Sequence, residues 1–103
     1  MNRLEVLEIA ILEIKPGTTA AFEVAIAQAF PYLTQTEGYR RHHLRRCLED
    51  PHQYALLIYW DSLEAHLVNF RQSPQFEQWR SLIGSYFAQP PQVLHYQSLG
   101  QTP

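Results

Sequence analysis

The residues best suited to chemistry lie close together in residues 60–80, WDSLEAHLVNFRQSPQFEQWR. Trp60 offers an indole donor and a flat stacking surface. His66 offers a ring that exchanges a proton near neutral pH, and Arg80 a permanent cation. All three sit among side chains whose spacing points to a core. Leu63, Leu67 and Phe70 form an apolar stripe at helical spacing, with His66 about 60° from Leu63 at its edge. Phe76, Trp79, Ile83 and Phe87 form a second stripe with Arg80 inside it. A buried arginine without a partner costs several kcal/mol, so Arg80 must be paired or line a wet cavity. Each residue also has a plain structural reading: a hydrogen-bonded packing histidine, an arginine whose stem reaches solvent, a core tryptophan. Together they predict a pocket.

The elements that must position them follow from patterning. Residues 4–14, LEVLEIAILEI, read as a strand, with Leu4, Val6, Ala10, Leu12 and Ile14 on one parity and Leu7, Ile9 and Ile11 on the other. Pro16-Gly17 signals a turn, and Thr18 or Thr19 can cap the helix that follows. That helix buries Phe22, Ile26, Ala29, Phe30 and Leu33, with Pro31 expected to kink it or divide its last turn and Gly38 to stop it. Residues 39–49 read as a more polar strand, 50–53 as a turn and 54–60 as a third strand. Asp61 with Glu64 forms a capping-box pattern, Ser73-Pro74 restarts a helix, Pro90-Pro91 ends it, and 93–99 is a last strand. The order βαββαβ is a ferredoxin-like α+β plan with an antiparallel sheet, one domain over residues 1–103.

Both helices of that plan cover one face of the sheet. The other would expose Leu7, Ile9, Ile11, Ala55, Leu57 and Tyr59, a larger apolar patch than soluble monomers usually carry. A second copy of the sheet is the simplest cover, so the sequence predicts a homodimer through this face.

Several function classes are excluded. A net charge of −2 argues against a dedicated nucleic-acid binder or a protein riding on anionic membranes. No apolar run approaches the roughly 18 residues a membrane span needs, and Glu5 and Glu8 interrupt any signal-peptide core, so a cytoplasmic location is expected. Cys47 is the single cysteine, which rules out an internal disulfide and a cysteine metal cluster. The histidines contain no H-x-x-x-H pair, so no metal is expected. The glycines at 17, 38, 84 and 100 build no phosphate loop, and no G-x-S-x-G elbow occurs. The run Arg40-Arg41-His42-His43-Leu44-Arg45-Arg46 is split between two faces by strand alternation, with Glu5 and Glu49 as expected carboxylate partners.

Trp60-Asp-Ser-Leu-Glu-Ala-His66, Asn69-Phe70 and Ser73-Pro74-x-Phe76 resemble the antibiotic biosynthesis monooxygenase family of dimeric α+β barrels. So do Gly38-Tyr39, Glu49-Asp50-Pro51 and Pro91-x-Val93-x-His95-Tyr96. In its quinone-forming branch a strand-end tryptophan, a tyrosine six residues on and an arginine on the second helical segment line the pocket. The resemblance places Trp60 and Arg80 in the first and last roles and His66 in the tyrosine's. Leu56 stands where that branch has an asparagine. The resemblance implies a cofactor-independent monooxygenase acting on a small aromatic or polyketide-like molecule with dioxygen. Its catalytic set would be His66, Arg80 and Trp60, with Leu56, Phe70, Phe76, Trp79 and Ile83 as substrate contacts. His43 and His95 are further polar candidates. The alternatives are a non-catalytic small-molecule binding or stress-response domain, or an isomerase or lyase using His66 as base. The haem-degrading branch fits poorly, because Ala10 and Arg80 stand at its asparagine and iron-binding histidine.

Overall fold

The computed structural model describes residues 5–99; the expected strand start at Leu4 and the glycine at 100 lie outside them. The elements are β1 (Val6–Glu13), α1 (Thr19–Thr34), β2 (Tyr39–Arg46), β3 (Gln53–Trp60), a π-helical turn (Ala65–Phe70), α2 (Pro74–Ile83) and β4 (Gln92–Gln97). The four strands form one antiparallel sheet in the order β2-β3-β1-β4. This is the ferredoxin-like arrangement, with β1 and β3 in the middle.

Burial alternates along the two central strands as strand geometry requires. Glu8, Ala10, Leu12 and Ile14 of the β1 segment and Tyr54, Leu56, Ile58 and Trp60 of β3 are buried on the helical side. Phe22, Ala25, Ile26, Ala29 and Leu33 of α1 and Trp79 and Ile83 of α2 complete the core. On the opposite side Leu7, Ile9, Ile11, Ala55, Leu57 and Tyr59 are only partly buried, and Leu94 and Tyr96 of β4 are exposed.

The local signals hold in some places and shift in others. Ser73 caps α2 by accepting from the Phe76 amide at 3.2 Å, and Pro74 opens the helix. Thr18 occupies the cap of α1, but its hydroxyl donates to the Lys15 carbonyl instead. Helix α1 runs through Pro31, which lies in its last turn. Ser62, not Asp61, accepts from the Ala65 amide at 3.1 Å, because the Asp61 carboxylate takes the Arg40 guanidinium at 2.7 Å. Helix α2 stops at Ile83, well before Pro90, and a 3₁₀ turn at Gly84–Tyr86 leads to Phe87, which bridges back to Ile14. Gly38 has φ +97°, and a Cβ there would sit 2.5 Å from Cβ of Ala65. Only glycine permits both the left-handed backbone and the approach of the π-helical turn to the start of β2.

Candidate functional site

Glu8 is the carboxylate on the buried parity of β1, where its neighbours at 10 and 12 are apolar. Three rings from three other elements surround it. Trp60, at the end of β3, donates its indole N–H to Glu8 Oε1 at 2.9 Å. His66, on the π-helical turn, places Nε2 3.4 Å from the same oxygen. Its other nitrogen, Nδ1, lies 2.8 Å from Nε2 of His95, the residue that pairs with Glu8 across the β1–β4 ladder. The indole stacks on the His66 ring with centroids 5.4 Å apart and planes within 18°. Trp60 is fully buried, His66 is 3% exposed and Glu8 5%.

Burial decides the charge state. Desolvation pushes the Glu8 carboxyl up to about 7, against smaller opposing effects of the Trp60 hydrogen bond and the Arg71 charge. Desolvation, with the neighbouring His95 and Arg71, pushes His66 down to about 4. His95 is lowered as well, by burial first and Arg71 second. The Glu8–His66 distance would suit an ion pair, yet both shifts favour the uncharged forms. Around pH 6 the two groups therefore hold one proton between them in a neutral pair.

This network borders a cavity of about 110 Å³ between sheet and helices. Its polar lining residues are Glu8, His66 and Arg71; the rest, including Ala10, Leu12, Leu56, Ile58, Phe70, Phe76, Trp79, Ile83, Phe87 and Val93, are apolar. Arg71 follows the π-helical turn, and its guanidinium carbon lies 5.3 Å from the Phe76 ring centroid. On the far side of the network His95 lines a larger surface hollow of about 370 Å³ with Val6, Ser62, Leu63, Tyr96 and Gln97.

The residues expected from sequence divide accordingly. His66, Leu56, Phe70, Phe76, Trp79 and Ile83 line the cavity. Trp60 stands behind His66 and Glu8 rather than in the cavity wall, and His95 reaches the cavity only through His66. Arg80 is exposed and outside the lining. The buried arc of α2 centres on Trp79 and Ile83, and Arg80 falls on the far side of Phe76 from Trp79. His43 is exposed and pairs with Leu57, on the sheet face opposite the cavity. Leu63 and Leu67 are also exposed, while Ala65, His66 and Phe70 are buried. The π-helical winding, in which the Arg71 amide bonds the His66 carbonyl at 2.9 Å, adds a residue to the turn. It thus rotates His66 from the edge of the apolar face to its middle.

Sequence reasoning missed Glu8 and Arg71. Glu8 left a signal, being the charged residue that breaks an otherwise apolar parity of β1. Arg71 left none, because the non-α winding before it decides its direction.

The profile of the antibiotic biosynthesis monooxygenases matches residues 6–82. The chain belongs to the antibiotic biosynthesis monooxygenase family. Its relatives include an uncharacterized Bacillus subtilis protein, YczJ, 38% identical over 94 residues, which span 91% of this chain and 99% of that protein. A Bordetella bronchiseptica protein assigned provisionally to the same family is 41% identical, with a TM-score of 0.89 over 93% of this chain and 98% of that one. SnoaB from Streptomyces nogalater, a cofactor-independent oxygenase, is 17% identical with a TM-score of 0.80, covering 96% of this chain and 97% of its own. At that identity the likeness is one of fold. Among the described residues, no helix of this family member is long and apolar enough to cross a membrane.

Proposed function

We propose that this family member is a cytoplasmic, cofactor-independent monooxygenase that oxidises a small phenol-like aromatic with dioxygen. The observation that carries the reading is the cavity: apolar walls around one neutral carboxyl–imidazole pair and one arginine. A cavity of about 150 Å³ holds benzene, so the 110 Å³ here suits a single ring once side chains yield slightly, and not a polycyclic skeleton. His66 serves as proton shuttle. Arg71 takes the anion-stabilising role that the resemblance would give to Arg80. Trp60 holds Glu8 and His66 in place.

The reaction conserves atoms and electrons as phenol plus dioxygen to quinone plus water. A base removes the phenolic proton, and the electron-rich ring carbon transfers electrons to dioxygen and forms a C–O bond. The resulting peroxide anion takes back a proton. Loss of the ring C–H proton with cleavage of the O–O bond then leaves the quinone carbonyl and releases water. Dioxygen is reduced by four electrons and the ring oxidised by four. The apolar walls offer the phenolate no competing polar partners, so Arg71 is the cation it meets.

The uncovered sheet face, with Leu94 and Tyr96 exposed beside Leu7, Ile9, Ile11, Leu57 and Tyr59, supports a homodimer closed through that face. Light scattering at micromolar concentration should give twice the chain mass. Oxygen-electrode measurements with hydroquinone and with the tricyclic anthrone test the reaction. Uptake with hydroquinone, in excess of a no-protein blank, and none with anthrone is expected. Binding of hydroquinone in a thermal-shift assay without oxygen uptake would instead favour the non-catalytic or isomerase readings.

A further inference from the structure

Two hollows lie on either side of one chain of polar side chains: the cavity bordered by Glu8 and His66, and the surface hollow bordered by His95. The links are 3.4 Å from Glu8 Oε1 to His66 Nε2 and 2.8 Å from His66 Nδ1 to His95 Nε2. The His66 ring thus meets a neighbour at each nitrogen, the arrangement a proton needs to hop through a ring. Nδ1 of His66 is hydrogen-bonded to His95, and Nε2 faces the Glu8 carboxyl at 3.4 Å. Glu8 differs. The indole and the His66 ring both meet its Oε1, so neither of these contacts takes up Oε2.

We infer that Glu8 is the base of this site and that protons pass between the cavity and the surface along Glu8, His66 and His95. The substrate part of the inference rests on the oxygenase reading; the relay part does not. Above about pH 7, where the carboxyl is largely ionised, Glu8 takes the phenolic proton on its carboxylate. It passes a proton to Nε2 of His66, whose Nδ1 proton moves to Nε2 of His95, and His95 releases its other ring proton to the surface hollow. Each imidazole ends in the opposite tautomer with no net charge. The peroxide anion then draws a proton back along the same path, which returns both rings to their starting tautomers. The groups facing the chain fit this traffic. Trp60 from β3 donates to Glu8 in either state, and Arg71 offers a cation that opposes an extra proton resting on either histidine. From α2 only the apolar Phe76, Trp79 and Ile83 reach the cavity. The carboxyl's own titration near neutrality lets it give up a proton as readily as it takes one.

Two experiments decide it. Without substrate, 15N spectra of the His66 and His95 rings should show averaged tautomers at pH 6, and Glu8→Gln should freeze one tautomer. Gln keeps an oxygen for the Trp60 indole, so folding is expected to survive. A single fixed tautomer in the wild-type protein would overturn the relay, whatever the enzyme acts on. With hydroquinone, Glu8→Gln should lower kcat about 100-fold or more. His95→Gln should lower kcat about tenfold, with imidazole in the buffer restoring the rate in proportion to its concentration. An unchanged kcat in Glu8→Gln would remove Glu8 as base, and a His95→Gln defect that imidazole cannot rescue would overturn the path to the surface. Averaged tautomers in a protein that consumes no oxygen with hydroquinone would uphold the relay and sink the oxygenase reading.

Discussion

Glu5, just before β1, and Glu8, within it, are three residues apart, and the fold sends them to opposite fates. Glu5 reaches the surface, where it accepts from Arg40 at 2.9 Å and Arg41 at 3.0 Å. Partial desolvation pushes its carboxyl up, but the hydrogen bonds and charges of the two arginines together outweigh this and hold it below the ordinary range. Glu8 turns inward to a tryptophan N–H and a neutral imidazole, and desolvation wins. A carboxylate with abundant cations and water stays ionised and does little else. One with a single indole donor, an imidazole and a distant arginine becomes an acid–base group near neutral pH. Strand alternation, an odd offset along the chain, produces the difference.

The comparison can be broken or sharpened at several points. The largest effect expected is from Trp60→Ala, which removes a fully buried ring and the hydrogen bond that holds Glu8. A loss of about 3–5 kcal/mol in urea unfolding is expected, whereas a loss near 1 kcal/mol would mean that Glu8 is held by other means.

The next concerns pH. Glu8, raised from 4.5 to about 7, contributes stability that is complete below 4.5 and lost as pH rises through 7. His66, lowered from 6.5 to about 4, contributes stability that is complete above 6.5 and lost as pH falls through 4. Between 4.5 and 6.5 the unfolded chain carries one proton on the histidine and the folded chain one on the carboxyl, so the two slopes cancel. A flat contribution is expected there in the wild-type protein. In His66→Gln the Glu8 slope stands alone, and stability should fall by roughly 3 kcal/mol from pH 4.5 to 7, at about 1.4 kcal/mol per pKa unit. Denaturant midpoints across pH measure both; a His66→Gln protein with a flat profile would show that Glu8 is not the raised group.

Gly38→Ala tests how closely the π-helical turn must approach to bring His66 over Glu8. Strain at φ +97° and the contact with Ala65 should cost about 1–3 kcal/mol. Glu5→Gln should show the smallest effect, at most about 1 kcal/mol, because its ion pairs are partly exposed. It should leave oxygen uptake unchanged. A Glu5→Gln protein as impaired in uptake as Glu8→Gln would erase the contrast between the two carboxylates.

Much of the frame was legible in the chain. The apolar runs at residues 4–14 and 54–60, the Ser73-Pro74 restart and the left-handed Gly38 are local properties, and local physics predicts them. The bare sheet face followed from the same parity count. The resemblance carried by Trp60, His66 and Phe70 led to the family. What did not follow was the membership of the site. Arg80 lies inside a stripe on paper but outside the buried arc of α2, since a helix of ten residues meets the sheet along one line that tertiary packing chooses. Arg71 reaches the cavity because the preceding turn winds with five-residue hydrogen bonds, which a 3.6-residue count cannot foresee. His95 becomes a partner of His66 only because β4 pairs in a register that sets it opposite Glu8.

By itself, then, the sequence determined the order of strands and helices, the apolar character of both faces of the central strands, and the one carboxylate that breaks the inner parity of β1. Tertiary structure decided what that carboxylate is. Whether Glu8 is a costly buried charge or a neutral proton carrier depends on the indole, the imidazoles and the cation brought around it from three other segments. Those distances of about 3 Å are set by sheet register and helix winding, and a pKa responds to them far more steeply than to anything written along the chain.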